Sequence, residues 1–508
     1  MFESAELNRK VSKADFKEAE RELHHRVLQL QQRLRQSSRS LIIIVSGVEG
    51  AGKGEVVDRL NRWFDTRDVE THAFWDETDE EKQRPRYWRF WRCLPARGGV
   101  GIMFGSWYTK PIVDLALQKS DQADLDQELT RINDLEQSLS KDGSIILKLW
   151  FHLPKEEQKR RLEADAKVSK LKKSPLLESF SRSYDSFIAV SERALRLTDT
   201  GCAPWHIIEA SDMNYRDLAM GSILVKTLEE ALANDHQERD TASGALADDR
   251  DEDIVASILR GDSSKATVLD RVDLSQSLEE NDYDKKLVEL QRRLHELAWK
   301  MFRCRRNTVM VFEGWDGAGK GSAIRRVTAA IDARLYRVIP IAAPTDEELA
   351  HHYLWRFWRH IPRGGHMTIY DRSWYGRVLV ERVEKFARKQ QWLGSYQEIN
   401  EFEEQLVDHG TVLCKFWVHI DQEEQLRRFK AREKDPRKQH KITEEDWRNR
   451  EKWDLYEDAI NDMVSHTSTS ATPWTLVAGN DKKFARVQIL ETICQQLERA
   501  EQSEKDNN

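Results

Sequence analysis

Two patterns of apolar and polar positions alternate along this chain. Short runs that are almost wholly apolar, such as Leu41–Val45 and Val309–Phe312, read as strands buried on both faces. In the second half such runs fall at residues 308–312, 336–341, 366–370, 411–419 and 474–477. Between them lie longer segments with apolar residues about three, four and seven positions apart, as at Leu287, Leu290, Leu294 and Leu297, which predict helices. Alternation of such strands and helices predicts an α/β fold, a parallel sheet covered by helices on both faces. Active residues are then expected at the carboxyl ends of the strands.

The pattern occurs twice. Gly47-Val48-Glu49-Gly50-Ala51-Gly52-Lys53-Gly54 returns, 267 positions later, as Gly314-Trp315-Asp316-Gly317-Ala318-Gly319-Lys320-Gly321. At the same offset Trp88-Arg89-Phe90-Trp91-Arg92 matches Trp355-Arg356-Phe357-Trp358-Arg359, and Ser106-Trp107-Tyr108 matches Ser373-Trp374-Tyr375. Further on the register slips by two, pairing Pro204-Trp205 with Pro473-Trp474. A period this long is a domain repeat rather than a solenoid, whose units run about 20–50 residues. The expected layout is a first domain over 1–232, a polar, acidic linker over 233–265 and a second domain over 266–500. Within the linker Ile254, Val255, Ile258 and Leu259 would form a small connecting helix.

Length supports two cores, because 508 residues exceed what one ordinary core serves. Charged residues make up 33% of the chain and the net charge is −7, so any preference for polyanions must be local, and no nucleic-acid partner is expected. The five cysteines form no CxxC pair and no zinc spacing, which suits reduced thiols in the cytoplasm. The amino terminus opens no signal peptide, and no apolar run reaches the roughly 20 residues of a membrane span.

Each glycine loop follows an apolar strand and leads into a helical segment, the setting in which backbone N–H groups close on phosphate oxygens. Gly314, Gly317, Gly319 and Gly321 shape the second loop, and Lys320 adds a point charge. Gly321 stands where the usual loop carries a Ser or Thr that helps hold Mg²⁺. Other oxygens must then hold the metal. Asp316 is one candidate and Asp371, at the end of Met367-Thr368-Ile369-Tyr370, is the better one; the competing role for Asp371 is a helix N-cap. Arg372, Arg377 and Arg382 follow, and residues 372–377 would lie in the first turns of a helix spanning 373–388. Arginine forks suit phosphate oxygens, and the competing reading is ion pairing with Glu381 and Glu384. Residues 427–441 carry eight Lys and Arg and are broken by Asp435-Pro436. That stretch reads as a lid over a polyanionic substrate, with Arg432 positioned to stabilise transition-state charge. The Trp355–Arg359 cluster reads as core.

GWDGAGKG, YDRSWYGR, KAREKDPRKQHKIT and TPWTLVAGNDKKFARV resemble polyphosphate kinase family 2, and two fused copies resemble its two-domain members, which phosphorylate AMP. The motifs cover most of 268–490. The resemblance implies two tandem P-loop kinase-like domains, each a parallel sheet flanked by helices and closed by a helical lid. It implies transfer of a phosphoryl group from inorganic polyphosphate to AMP, giving ADP, with Mg²⁺. Carried onto matching positions, it puts Asp316 and Lys320 in the catalytic loop, Asp371 and Arg372 at the strand end, and Arg432 with Lys438 and Lys441 in the lid. Rival readings are phosphorylation of ADP to ATP, an ATP-dependent small-molecule kinase, or a non-catalytic polyphosphate-binding protein. The copies differ: Glu49 stands at the position of Asp316, Phe104 at that of Asp371 and Asp165 at that of Arg432. Without a strand-end carboxylate, but with Lys53 and a basic stretch over 160–173 kept, the first domain is expected to bind phosphate chains or support assembly and to be catalytically silent. Fused copies suggest an ancestor that dimerised; a homo-oligomer of the present chain is compatible with this.

Overall fold

A computed structural model describes residues 1–168, 184–245, 267–436, 439 and 442–506. The chain forms two compact units; the first also takes in Leu349–His352 and the second also takes in Thr78–Arg89. Each unit is built on a five-stranded, all-parallel sheet. The first comprises β1 (Ser40–Gly47), β2 (Val69–Ala73), β3 (Val100–Phe104), β4 (Ser144–His152) and β5 (Trp205–Glu209), in the order β2-β3-β1-β4-β5. The second comprises β6 (Thr308–Gly314), β7 (Tyr336–Pro340), β8 (Met367–Asp371), β9 (Val412–His419) and β10 (Trp474–Ala478), in the equivalent order β7-β8-β6-β9-β10.

The apolar runs explain this order. β1 and β6 are central and buried on both faces, so every side chain from Leu41 to Val45 and from Val309 to Phe312 is at most 1% exposed. β7 lies at an edge, and there exposure rises, as at Arg337 and Val338. Helices cover the sheets: Glu280–Arg303 packs on Lys482–Asp506, and Lys13–Arg35 packs on Met213–Ala245. The predicted stripe holds, with Leu290, Leu294 and Leu297 buried. Trp355, Phe357 and Trp358 are buried as the core reading required, and Phe357 meets Trp374 edge-on at 5.7 Å.

Three features depart from the sequence reading or extend it. The segment after Asp371 is not one helix: a 3₁₀ turn, Trp374–Arg377, and a single α turn, Val380–Val383, divide it. Ser373 caps the first turn by accepting from the Tyr375 N–H, and Lys385 adopts a left-handed φ of 59° just past the second. Met213–Ala245 runs as one helix into the stretch read as linker; the apolar patch 254–259 lies outside the described residues. Two of the "apolar" strands, β4 and β9, also carry a buried lysine each. Lys415 Nζ donates to Glu403 Oε2 at 2.7 Å, Tyr375 Oη at 3.0 Å and the Thr467 carbonyl at 2.7 Å. Lys148 makes the same set with Glu136, Tyr108 and Thr198 at 2.7, 3.0 and 2.6 Å. Deleting one partner would leave a buried charge unpaired, at about 3–5 kcal/mol. Among the described residues no helix is long and apolar enough to cross a membrane.

Candidate active site

The second loop joins β6 to the helix Lys320–Thr328. Gly314 leaves the strand at φ 149°, and a Cβ there would stand 2.5 Å from the Val418 carbonyl oxygen, so only glycine fits. Gly319 turns at φ 112° and delivers the chain into the helix, whose free N–H groups face the loop. Lys320 folds back, its Nζ donating to the carbonyls of Gly314 at 2.6 Å and Trp315 at 3.3 Å.

Above this loop lies a cavity of about 780 Å³. It brings together Asp316, Lys320, Asp371, Arg372 and Arg432, with Gly317, Gly319 and Gly321, from the predicted set. Asp316 accepts from Arg372 Nη2 at 2.8 Å and from Asn449 Nδ2 at 3.0 Å. Burial alone would raise its carboxyl, but Lys320 and Arg372 outweigh that and hold it below the ordinary carboxylate range. Asp316 in turn holds the Arg372 guanidinium well above its ordinary range. Behind them Glu313, 5% exposed, accepts from Ser373 Oγ at 2.8 Å, and its burial pushes its carboxyl up.

Arg372 has a left-handed backbone, φ 65°, which is unusual for a residue with a side chain. Its counterpart in the first unit is Gly105, at φ 78°. The turn therefore suits glycine, and the second unit keeps an arginine there against about 1–2 kcal/mol of backbone strain.

One predicted residue falls elsewhere. Arg377 is not in the cavity: it pairs with Glu381 at 2.9 Å and lies 4.3 Å over the Tyr353 ring. Lys438 and Lys441 lie outside the described residues. Four other side chains had no individual assignment in the sequence reading. Arg428, 3% exposed, donates to the carbonyls of Gly317, Ala318, Gly479 and Asn480 at 2.6–3.0 Å, tying the phosphate loop to the turn after β10. Arg161 does the same in the first unit, at Gly50, Ala210 and Ser211, so its repetition at offset 267 was the available signal. Asn449 and Lys482 carried no such mark.

Magnesium at phosphate sites takes one or two carboxylates and fills its shell with phosphate and water oxygens. Asp371 fits that role. Its carboxylate makes no hydrogen bond or ion pair among the described residues, and Oδ2 lies 3.9 Å from where a Cβ on Gly321 would stand. Asp316 has spare lone pairs beside its two partners. Among the described residues no three His, Cys, Asp or Glu cluster to cage a metal unaided.

The first unit's loop encloses a cavity of about 460 Å³ with different chemistry. Lys53 pairs with Glu49 at 3.0 Å, besides reaching the carbonyls of Gly47 and Val48. Arg216, 1% exposed, donates to the Ala51 carbonyl and pairs with Glu55 at 2.9 Å. Its Nη1 lies 1.8 Å from where a Cβ on Gly52 would stand. Phe104 lines the position of Asp371.

The family model for polyphosphate kinase 2 matches residues 10–236 and again 277–505. A polyphosphate:AMP phosphotransferase of Pseudomonas aeruginosa is 47% identical, over 99% of this chain and all of its own length. One from Acinetobacter johnsonii is 36% identical over 97% of both chains. The crystal structure of a protein assigned to polyphosphate kinase 2, from Pseudomonas aeruginosa PA01, superposes with a TM-score of 0.87 at 44% identity, covering 99% of this chain and all of that one. Repeated loop, repeated sheet order and full-length likeness agree: the chain belongs to the polyphosphate kinase 2 family and carries the family's domain twice.

Proposed function

We infer that the protein transfers a phosphoryl group from inorganic polyphosphate to AMP, giving ADP and a chain one phosphate shorter. Full-length likeness to relatives named polyphosphate:AMP phosphotransferase carries this reading. The relative from Rhizobium meliloti named ADP-polyphosphate phosphotransferase 2 matches only 52% of the chain, at 35% identity.

The chemistry requires little of the protein beyond position and charge. An α-phosphate oxygen of AMP attacks the terminal phosphorus in line; the new P–O bond forms as the bridging P–O bond breaks, and its electron pair leaves with the shortened chain. The acceptor oxygen is already anionic, so no base is needed. In this reading the loop N–H groups and Lys320 hold the transferred group, with Lys320 exchanging its two carbonyl partners for phosphate oxygens. Arg372 and Arg432 offset charge that spreads over the equatorial oxygens. Asp371, with Asp316 second, would hold Mg²⁺, which when bound neutralises phosphate charge. Asn449 and Arg372 keep Asp316 aimed inward.

The first unit, in the same reading, is catalytically silent, because Glu49 neutralises Lys53, Arg216 crowds the loop and no carboxylate ends β3. We place the reaction in the cytoplasm, where AMP is at hand and thiols stay reduced; none of the five cysteines forms a disulfide here.

Incubation with AMP, Mg²⁺ and long-chain polyphosphate, without ATP, tests the proposal. ADP should appear in step with polyphosphate shortening. Activity only with ATP as donor would overturn it, and ATP formed from ADP with AMP inert would change the acceptor.

A further inference from the structure

The phosphate loop of the second unit is fastened by two helices that follow the basic stretch 427–441. These are Glu444–Glu451 and Trp453–Thr467, joined by the single residue Lys452. The Trp453 indole lies flat on that of Trp315, with ring centroids 3.6 Å apart and planes 8° from parallel. Both rings are buried, at 7% and 6% exposure. Four positions before Trp453, Asn449 donates to Asp316 Oδ2 at 3.0 Å, and its side-chain oxygen accepts from Tyr456 Oη at 3.1 Å. Gln425 donates to the Asp316 carbonyl at 3.0 Å, and Arg450 steadies Gln425 by donating to its Oε1 at 3.0 Å. Two adjacent loop residues, Trp315 and Asp316, are thus held from the same side of the chain.

Trp315 is also fixed at its indole nitrogen. Burial presses His419 down to about 4, so its ring is neutral, and Nδ1 accepts from Trp315 at 3.2 Å and from Trp417 at 3.5 Å. The first unit keeps an aromatic layer here but not the fastening. Val48 stands at the position of Trp315 and offers no ring to stack on. Thr198 and Thr467 accept alike from the indoles of Trp205 and Trp474, which sets the register in this region at 269 and pairs Trp453 with Tyr184. Tyr184 turns instead to the Leu153 carbonyl, at 2.6 Å. The ring stacked on Trp150 and His152 is Phe2, which comes from the turn Phe2–Ala5 and not from the loop. Sheet order and the buried Lys–Glu pair are the same in both units, so the fold does not depend on the Trp315–Trp453 stack.

We propose that Trp453 is a positioning residue for the transfer step: stacked on Trp315, it fixes the backbone that carries Asp316 and joins the helices after the basic stretch to the geometry of the loop. The assignment rests on the function inferred above. Two flat rings in contact resist sliding and tilting, and Trp315 shares a peptide plane with Asp316. Asn449 holds one carboxylate oxygen; the stack holds the chain behind it. Trp453 does not line the cavity, so its loss alters placement and leaves the groups that meet substrate in the protein.

The test compares steady-state turnover of the unmodified protein with that of Trp453→Leu, Trp453→Phe and Trp315→Val, each well below its melting midpoint. Trp453→Leu should lower kcat about tenfold, while KM for polyphosphate and KM for AMP stay within about twofold. Trp453→Phe keeps a ring on Trp315 and should hold kcat within about threefold of the unmodified protein. Trp315→Val, which installs the residue of the first loop, should match the leucine variant in kcat. Both should lose the same indole exciton couplet from the circular dichroism spectrum. Joined to Asn449→Ala, Trp453→Leu should cost far less than the about hundredfold product of the two single losses, because both release Asp316. Normal kcat in the leucine and valine variants would overturn the assignment, as would a loss that appears in KM or a full product in the double variant. If neither variant folds, the stack serves the fold and the positioning role is overturned. If the unmodified protein shows no polyphosphate-dependent turnover, the functional reading fails and this role with it; normal turnover in the variants refutes the role alone.

Discussion

Replacing Arg372 by glycine should separate stability from activity. The residue sits at φ 65°, and the equivalent turn of the first unit is made by Gly105 at φ 78°. Glycine at such a position relieves about 1 kcal/mol of backbone strain, net of its greater freedom in the unfolded chain. Against this stands the lost pair with Asp316. The Arg372 side chain is 42% exposed, and Asp316 keeps Asn449 as a hydrogen-bond donor and Lys320 as a counter-charge, so the loss should be about 1 kcal/mol or less. Arg372→Gly should therefore fold with near-unchanged stability. Arg372→Ala loses the same pair and keeps the strain, so it should be about 1 kcal/mol less stable than the glycine variant, or about 2–4 °C lower in melting midpoint for a unit of this size. Both should lose about 10²–10³-fold in kcat, the usual effect of removing one donor aimed at transition-state charge. Calorimetry with an ADP-release assay reads both quantities. Equal midpoints for the two variants would refute the strain argument, and turnover within threefold of the unmodified protein would refute the catalytic one.

Asp371→Asn should lower turnover about 10²-fold or more with little change in melting, and raising Mg²⁺ should recover only part of it; near-normal turnover would remove the metal role. Lys320→Ala should abolish activity, whereas Lys53→Ala should leave turnover intact, and equal losses in steady-state assays would sink the silent-domain reading. Asn449→Ala should lower kcat about tenfold with donor KM little changed, since it releases Asp316 without touching polyphosphate; a purely structural role would instead appear as a lower midpoint at normal kcat.

Much of this was legible because apolar runs and turn glycines act locally. β6, β7, β8, β9 and β10 fall within a residue or two of the five runs, and the two loops announce their own conformation. What sequence could not give was pairing across distance. Arg377 and Arg372 look equivalent in a row of arginines, yet one pairs with Glu381 over Tyr353 and the other enters the cavity. The backbone decides this, because a left-handed turn at Arg372 and a 3₁₀ turn at Trp374–Arg377 replace the continuous helix that would have aligned them. Asn449 is invisible for a related reason: an asparagine in a polar helix resembles solvent surface until the fold sets it 3.0 Å from Asp316, 133 positions away in sequence.

The two copies also show which buried groups belong to the fold and which to the reaction. Lys148–Glu136 and Lys415–Glu403 match to 2.7 Å in both units, although Asp316 and Asp371 line the cavity of one loop and Glu49 and Phe104 that of the other. Loss of either partner would leave a buried charge at about 3–5 kcal/mol, a large share of a domain's stability, so folding alone retains the pair. Asp371 has no such hold. It caps no network, and in the first unit Phe104 stands in its place as the last residue of an apolar strand. If the second copy alone carries the reaction, as inferred above, residues whose only duty is to face phosphate are the ones free to change in the first. At the first loop Glu49 takes the charge of Lys53, and Arg216 binds the carbonyl of Ala51.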